Sequence, residues 1–218
     1  MRSVIRDLPI LDLRSISTAD IGKIERVENV RTVVLNPANA EAFMRVPRTD
    51  VRSHLIIKDD EILHIGQIEF NDKFLETLAD NTRLVVLGHI FVDGFTPELF
   101  FRKIQAMRMY GQVLYSHTKS VGALLSRLER LQGQLLQMPP NSIRWVGATY
   151  LDKTLLDSVS GYSIVSIGML TLDPKVTLND LTSHLKSMVQ IGELKGKEET
   201  ISAFLAVCNR RLGPCTIA

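Results

Sequence analysis

Apolar and polar residues alternate in short stretches that recur along the chain, and each stretch begins at a glycine. The alternation is clear at residues 66–71, 88–93 and 168–173. A period of two is typical of a β-strand with one buried face. An Asn or Asp often closes the stretch, as at Asn71 and Asp173, and a short polar side chain there favours a turn. Each stretch therefore predicts a strand that ends in a turn.

Helical patterns follow several of these strands. Thr96-Pro97-Glu98 combines an N-cap residue, a proline at the first helical position and an acidic residue in the first turn. Thr177 and Asp180 have the spacing of a capping box. Apolar residues then recur at helical spacing over 99–107 and 178–188. The repeating unit is predicted to be strand, turn, helix and return.

Glycines recur at a nearly fixed interval along most of the chain. They are Gly66, Gly88, Gly111, Gly133, Gly147, Gly168, Gly192 and Gly213. The gaps are 21 to 24 residues, except for one gap of 14 between Gly133 and Gly147. Periods of this size predict a stack of small supersecondary units. We interpret the glycines as corners, where the backbone bends tightly or approaches its neighbour closely.

Strands that follow one another through helices in the same sense should lie parallel. The sequence therefore predicts an α/β fold, a right-handed β/α solenoid of about nine to ten units of ~22 residues with a parallel sheet. The order of units agrees between 66–133 and 147–213, which indicates an internal duplication. We expect one elongated repeat domain over 1–218, made of irregular N-terminal units (1–65), a first repeat block (66–133), a truncated joining unit (134–146), and a second block with a C-terminal cap (147–218).

The repeated phrase G-x-[LIV]-x-[LVF]-[DN] resembles, in architecture, the leucine-rich repeat proteins over most of the chain. The resemblance implies a β/α solenoid. The phrase lacks the closing asparagine of the LxxLxLxxN pattern, so only the solenoid class is carried over. A solenoid offers an extended surface for binding.

Charge and composition narrow the classes of partner. The chain has 26 basic and 24 acidic residues, a balance that gives no general attraction to nucleic acid or to an anionic membrane. The N-terminal residues show no signal-peptide pattern. Cys208 and Cys215 do not make a disulfide framework, which favours a reduced, cytoplasmic protein.

No nucleophile elbow, zinc-binding motif or phosphate loop occurs in the sequence. The expectation is a protein that is not an enzyme and has no cofactor and no metal. None of the five histidines has zinc-type spacing, although stacking would bring His89 and His117 near each other. Cys208 falls on the apolar face of the last predicted helix, which predicts a buried thiol.

The densest charge lies where the glycine period is interrupted, between Ala38 and Ile65. Arg45, Arg48 and Arg52 cluster there, and the following IIKDDEIL has the pattern of a hairpin. An interruption in a regular array is a natural place for a binding loop. The three arginines are therefore the candidate contacts for a partner or an anion.

The two ends of such an array are expected to be modified against further pairing. Pro9 and Pro214 lie near the two ends, and each removes one amide donor. These prolines predict a finite object.

The function predicted from these features is a non-enzymatic repeat scaffold that mediates protein–protein interaction, with a second copy of itself as one candidate partner. Two alternatives stay open. One is a self-assembling structural or cytoskeletal element. The other is a binder of a small anion or ligand that uses the segment 38–65.

Overall fold

The computed structural model describes residues 3–116, 118–139 and 141–217. Strands and helices alternate through the described chain, and the strands pair in parallel within three sheets. A parallel pair needs a crossover between its strands, which short helices supply here. The predicted α/β class and the predicted parallel sheets are confirmed. The regular succession of nine to ten coils stays a prediction.

Three strands form the first sheet, in the order β1-β2-β3. Its elements are β1 (Ser3–Asp12), α1 (Thr18–Ile21), β2 (Ile24–Leu35), α2 (Pro37–Met44) and β3 (Arg48–Ile56). Val27, Val30 and Phe43 are fully buried between this sheet and its helices. The segment that interrupts the glycine period thus contains a helix and a strand in the usual order.

Four strands form the second sheet, in the order β4-β5-β6-β7. Its elements are β4 (Glu61–Phe70), α3 (Asp72–Glu76), β5 (Thr82–Val92), α4 (Pro97–Lys103), β6 (Ile104–Tyr115), α5 (Thr118–Ser126) and β7 (Leu128–Gln137). Aromatic rings fill part of its core. The ring centroids of Phe95 and Phe100 lie 4.8 Å apart, and that of Phe70 lies 5.6 Å from Phe95.

The third sheet has the order β11-β10-β9-β8, and β12 also pairs with β10. Its elements are β8 (Ser142–Leu151), α6 (Lys153–Ser158), β9 (Tyr162–Leu172), α7 (Leu178–His184), β10 (Leu185–Gly196), α8 (Glu198–Val207), β11 (Cys208–Leu212) and β12 (Cys215–Ile217). Ile164, Met188, Leu194 and Phe204 are fully buried in its core. Its strands and helices follow the same order as those of the second sheet.

The predicted hairpin IIKDDEIL is wrong. Strands β3 and β4 flank it but belong to different sheets. The backbone N–H of Ile57 donates to the carbonyl of Leu35 at 2.8 Å, which prolongs the parallel pairing with β2. The chain then turns, and the N–H of Lys58 donates to the Glu61 carboxylate at 2.8 Å. The segment is a turn between two sheets because each strand has a parallel partner elsewhere.

Seven of the eight recurrent glycines stand inside strands and not at their start, which corrects the predicted strand bounds, and the eighth, Gly213, lies between β11 and β12. Gly66 pairs with Gly88, and Gly147 pairs with Gly168. All eight have φ between +105° and +157°, a region that favours glycine. A Cβ on Gly88 would lie 1.8 Å from the carbonyl oxygen of Gly66. The interpretation as corners with close backbone approach is confirmed.

The glycines form two separate ladders. A Cβ built on Gly66 or on Gly147 would have no heavy atom within 4 Å, whereas one on Gly133 would lie 1.6 Å from the carbonyl oxygen of Gly111. Gly66 and Gly147 are open because each lies in the first strand of its sheet. The gap of 14 residues between Gly133 and Gly147 is therefore the point where one ladder ends and the next begins.

Asp and Asn take the place of glycine in the first sheet. Asp7, Asn29 and Asp50 have φ of 59°, 48° and 52°. The three residues occupy equivalent register positions, one on each of β1, β2 and β3. Asp and Asn are the residues other than glycine that most readily adopt this left-handed conformation. The Asn29 amide also donates to the Asp7 carboxylate at 2.7 Å.

Polar caps fix where most helices begin. The side chains of Asn71 and Asp152 accept the backbone N–H groups of Phe74 and Leu155, which confirms the predicted Asn/Asp column as a set of turn and cap residues. Thr177 and Asp180 form the predicted capping box. In the sequence, Thr200 leads into Phe204, Leu205 and Val207, which predicts a helix that starts there, but helix α8 begins earlier, at Glu198.

The chain folds as two compact units. The first comprises the chain up to Val113 with a later segment that ends at Gln134, and the second comprises Leu114–Ser116 and the chain from Leu135 onwards. The longest described helix, α8, has ten residues. No helix in the described ranges has both the length and the apolar character needed to cross a bilayer.

Candidate functional site

The three arginines predicted as contacts do not form one cluster. Arg45 lines a concavity of about 410 Å³ with Thr18 and Glu25. Its guanidinium lies 2.6 Å from the carboxylate of Glu41, one helical turn earlier. Arg45 is thus held by a local, exposed ion pair, which contributes little to stability.

Arg48 lies in a different concavity, of about 270 Å³, with Asp50 and His54. Its guanidinium carbon is 5.4 Å from the ring centroid of Phe43, within the range of a cation–π contact. Its Nη1 donates to the Met44 sulfur at 3.1 Å. These contacts fold the Arg48 side chain back onto helix α2.

Arg52 lies in a third concavity, of about 300 Å³, which is lined by residues of β1, β2 and β3. The residues that line it are Asp7, Leu8, Pro9, Asn29, Arg31 and Arg52. Arg31 and Arg52 are both exposed, and no ion pair to either is found among the described residues. This concavity therefore presents two guanidinium groups to solvent.

Strand register explains why these two arginines meet. Leu8 pairs with Val30, and Val30 pairs with Val51, while Thr32 pairs with Ser53. Pro9, Arg31 and Arg52 consequently stand side by side on β1, β2 and β3. Neighbouring strands lie about 4.8 Å apart, so both guanidinium groups reach the same small region.

Sequence reasoning found Arg52 but missed Arg31. A signal was present, since Arg31 precedes Arg52 by 21 residues and follows Pro9 by 22 residues. That spacing equals the repeat period. The recurrent glycines that reveal this period in the sequence start only at Gly66. In the first sheet Asp7, Asn29 and Asp50 carry the period instead.

Among the residues that the structure describes, histidines and cysteines do not assemble into a site. His184 lies 2.9 Å from the Asp157 carboxylate, and His64 contacts the carbonyl of Gln67 at 3.2 Å. His89 is half-buried, and burial lowers its pKa below the ordinary value, against the opposing effect of a hydrogen bond with Gln112. His117, expected near His89, lies outside the described residues.

Cys208 begins strand β11 and does not lie on helix α8, which ends one residue earlier. It is only partly buried, although it packs against the core of the third sheet. Burial raises the pKa of the Cys208 thiol, which donates to the carbonyl of Arg210 at 3.2 Å. Cys215 is exposed, and both thiols are free. Within the described ranges, no group of three or more His, Cys, Asp or Glu residues is placed to hold a metal ion.

A buried ion pair joins the first residue of β4 to strand β6. The Glu61 side chain is 2% exposed and accepts from the guanidinium of Arg108, whose side chain is 17% exposed. The same guanidinium donates to the carbonyl of Ile56 at 2.9 Å and to the Tyr110 hydroxyl at 3.2 Å. The Arg108 guanidinium thus donates to three groups within the protein, so we interpret this ion pair as structural.

Pro9 and Pro214 were expected to remove backbone donors from the outer edges of the sheets. The hydrogen bonds around them show that the missing donors face inward, so this expectation is wrong. The N–H of Leu194 donates to the carbonyl of Pro214 at 3.0 Å, so this carbonyl faces β10. Amide nitrogen and carbonyl of one extended residue point to the same side, which places the missing donor of Pro214 inward. The backbone N–H of Leu13 donates to the carbonyl of Val34 on β2 at 2.9 Å. Because the amide nitrogens of every second residue of a strand point to the same side, the nitrogen of Pro9 also faces β2.

Strand β1 consequently keeps an open outer edge. Among the described residues it pairs only with β2, and most of its ten residues are exposed. Val4 is 48% exposed there. An unpaired edge of this length is a template for pairing with another strand.

Comparisons with protein-family models, with curated proteins and with solved structures find no match to this chain.

Proposed function

We propose that this chain is a non-enzymatic repeat scaffold that binds another protein, in the first instance a second copy of itself. The scaffold is proposed to be a right-handed β/α solenoid of about nine to ten units of ~22 residues. The observation that carries the proposal is the open edge of β1, which pairs with β2 alone among the described residues. Strand addition at such an edge supplies main-chain hydrogen bonds to a partner.

The inward orientation of both proline nitrogens supports this function. Because the missing donors of Pro9 and Pro214 face strands of the same chain, the outer edges retain their backbone donors. The register of the sheets supports the repeat, since Gly147, Gly168 and Gly192 stand opposite one another on three adjacent strands. Matched strands of this kind give a regular surface.

The kind of partner and the compartment follow from charge and from the thiols. A net charge of +2 favours a protein partner over nucleic acid or an anionic membrane. Both cysteines are free, which supports a reducing, cytoplasmic setting.

Sedimentation of the purified chain at rising concentration tests the proposal. We expect reversible self-association that is lost in Val4→Lys, because a lysine on an open edge strand opposes pairing. The matched control is Leu205→Lys, which places the same charge at a residue that is 42% exposed on helix α8 and not on a strand edge. The control is expected to associate like the unaltered chain.

Two results count against this proposal. A chain that stays monomeric at every concentration would remove the second copy as the partner. Equal loss of association in Val4→Lys and Leu205→Lys would remove the edge of β1 as the contact. Growth without limit would instead favour the alternative of a self-assembling structural element, because head-to-tail contacts that do not close produce filaments.

A further inference from the structure

We propose that the concavity lined by Arg31 of β2 and Arg52 of β3 binds a phosphate group. The ligand class is a small phosphorylated molecule or free phosphate. Such a site is separate from the open edge of β1 and does not depend on self-association.

The position of the two arginines is the first argument. Pro9, Arg31 and Arg52 occupy one row across three adjacent strands, as the flanking pairs Leu8 with Val30 and Thr32 with Ser53 require. Like charges directly opposite each other on neighbouring strands are destabilising. An anion placed between them removes this repulsion, and guanidinium groups match the geometry of phosphate oxygens.

The absence of internal partners is the second argument. Arg45 and Arg48 lie nearby in the chain, and both have contacts within the protein, with Glu41 and with Phe43. No ion pair to Arg31 or Arg52 appears in the described part of the chain. Arginine is charged at every physiological pH, so the two charges remain available.

The lining of the concavity defines where the phosphate lies. Its volume of about 300 Å³ exceeds what one phosphate occupies and leaves space for an attached group. The Asp7 carboxylate also lines the concavity, where it accepts a hydrogen bond from Asn29 at 2.7 Å and lies 4.0 Å from the Arg6 guanidinium. Because this carboxylate repels an anion, a phosphate group is expected to lie against Arg31 and Arg52.

Two further residues border the arginines. Pro9 completes the row and lines the concavity without a charged side chain. The hydroxyl of Ser53 bonds to Thr32 at 3.0 Å and donates to the carbonyl of Arg31 at 3.1 Å. These bonds tie β2 to β3 next to the two arginines.

Calorimetric titration at constant ionic strength tests the site. The probes are inorganic phosphate, pyrophosphate, phosphoserine as a monoester, and citrate as a carboxylate control. We expect saturable binding of at least one phosphate probe, weakened by about tenfold or more in Arg31→Gln and in Arg52→Gln, since each removes a charge-assisted contact. Inorganic phosphate and phosphoserine distinguish a free anion from a phosphorylated ligand.

Arg26→Gln is the matched control. Arg26 lies on the same strand as Arg31 and pairs with Glu28 at 3.0 Å, outside the lining of the concavity. The Arg26→Gln substitution lowers the net charge by the same amount as Arg31→Gln or Arg52→Gln. The phosphate affinity of this variant is expected to equal that of the unaltered chain. Thermal unfolding of all three variants checks that they fold, and all three arginines are solvent-exposed.

Three results would overturn the proposal. They are the absence of saturable binding by every phosphate probe, an equal loss of affinity in Arg26→Gln, and tighter binding of citrate than of any phosphate probe. The outcome is independent of the scaffold function, because Val4→Lys leaves the lining of the concavity unaltered and is expected to keep its phosphate affinity.

Discussion

At the scale of single residues, the strands bend where a residue adopts a positive φ. Gly66 and Gly88 supply this conformation in the second sheet, whereas Asp7 and Asn29 supply it in the first. Glycine and Asp or Asn have different consequences at this position. A glycine has no side chain, so the neighbouring backbone can approach closely. An Asp or Asn keeps a side chain that bonds across the strands, as Asn29 does to Asp7 at 2.7 Å.

A graded alanine series tests the glycine ladder. Gly88→Ala is expected to cost about 3–5 kcal/mol of unfolding free energy, because backbone strain adds to a steric clash with the Gly66 carbonyl at 1.8 Å. Gly66→Ala is strained at φ +112° but meets no atom within 4 Å, and about 1–3 kcal/mol is expected. Urea unfolding measures both variants.

Gly122→Ala is the control for this series. Gly122 lies in helix α5 with no heavy atom within 4 Å of an added Cβ, and alanine there is expected to stabilise the protein by about 1 kcal/mol. Equal costs for Gly66→Ala and Gly88→Ala would show that the close approach between strands has no energetic weight.

The sequence predicts the glycine corners well but not the position of the phosphate-site arginines. A regular glycine period is a local signal with one physical meaning, which is why Gly88 and Gly168 are interpretable without a structure. The meeting of Arg31 and Arg52 depends on pairing between distant strands. It becomes visible only when Asp50 and Asn29 are recognised as equivalents of glycine.

At the scale of elements, helix starts follow short polar motifs. Helix α7 has a complete capping box, in which Thr177 N–H and Oγ1 each bond to the Asp180 carboxylate at 2.8 Å. Lys153 lies 3.1 Å from the same carboxylate. Such motifs are local and therefore predictable, whereas the start of α8 at Glu198 lacks a side-chain cap and was misplaced.

The capping box gives helix α7 a defined pH dependence. Hydrogen bonds from the Thr177 backbone and hydroxyl, and then the contact with Lys153, lower the pKa of Asp180 from 3.8 to about 2. Since the folded pKa lies below the unfolded one, the carboxylate stabilises the fold fully above about pH 4. This contribution is lost as the pH falls towards about 2.

Urea unfolding between those pH values measures the effect. The difference in stability between the unaltered chain and Asp180→Asn is expected to shrink as the pH falls, because asparagine does not titrate. An NMR titration gives the pKa directly. A difference that stays constant across this range, or a pKa of Asp180 near 3.8, would contradict the prediction.

At the scale of the molecule, the first unit holds two sheets together by a mixed contact. Val34 and Leu55 of the first sheet pack with Val85 of the second, and Tyr110 lies against this cluster. Arg108 of the second sheet, which pairs with Glu61 of the same sheet, also donates to the carbonyl of Ile56 in the first sheet at 2.9 Å. No local pattern in the sequence signals this pair, since its members are 47 residues apart.

Removing one member of that pair is expected to be costly. Glu61→Ala leaves the Arg108 guanidinium mostly buried without its carboxylate, and about 3–5 kcal/mol of unfolding free energy should be lost. The double variant Glu61→Met with Arg108→Met is expected to recover most of this loss, because neither charge remains. Chemical denaturation of all variants measures the difference.

The control for this prediction is the more exposed pair of Arg83 and Glu129, at 2.9 Å, in which the Glu129 side chain is 48% exposed. Glu129→Gln should cost about 1 kcal/mol or less. If Glu61→Ala were no more destabilising than Glu129→Gln, the burial of the pair would have no energetic weight.

The close stacking of the glycines has an attractive side as well. The direction in which a Cβ of Gly88 would meet the Gly66 carbonyl oxygen is occupied by a hydrogen on the glycine α-carbon. That hydrogen points at the oxygen and forms a weak C–H···O bond, worth about 0.5–1 kcal/mol. The same geometry recurs at Gly111 and Gly133, and again at Gly168, Gly192 and Gly213. The residue that usually weakens a strand is here a source of cohesion between strands.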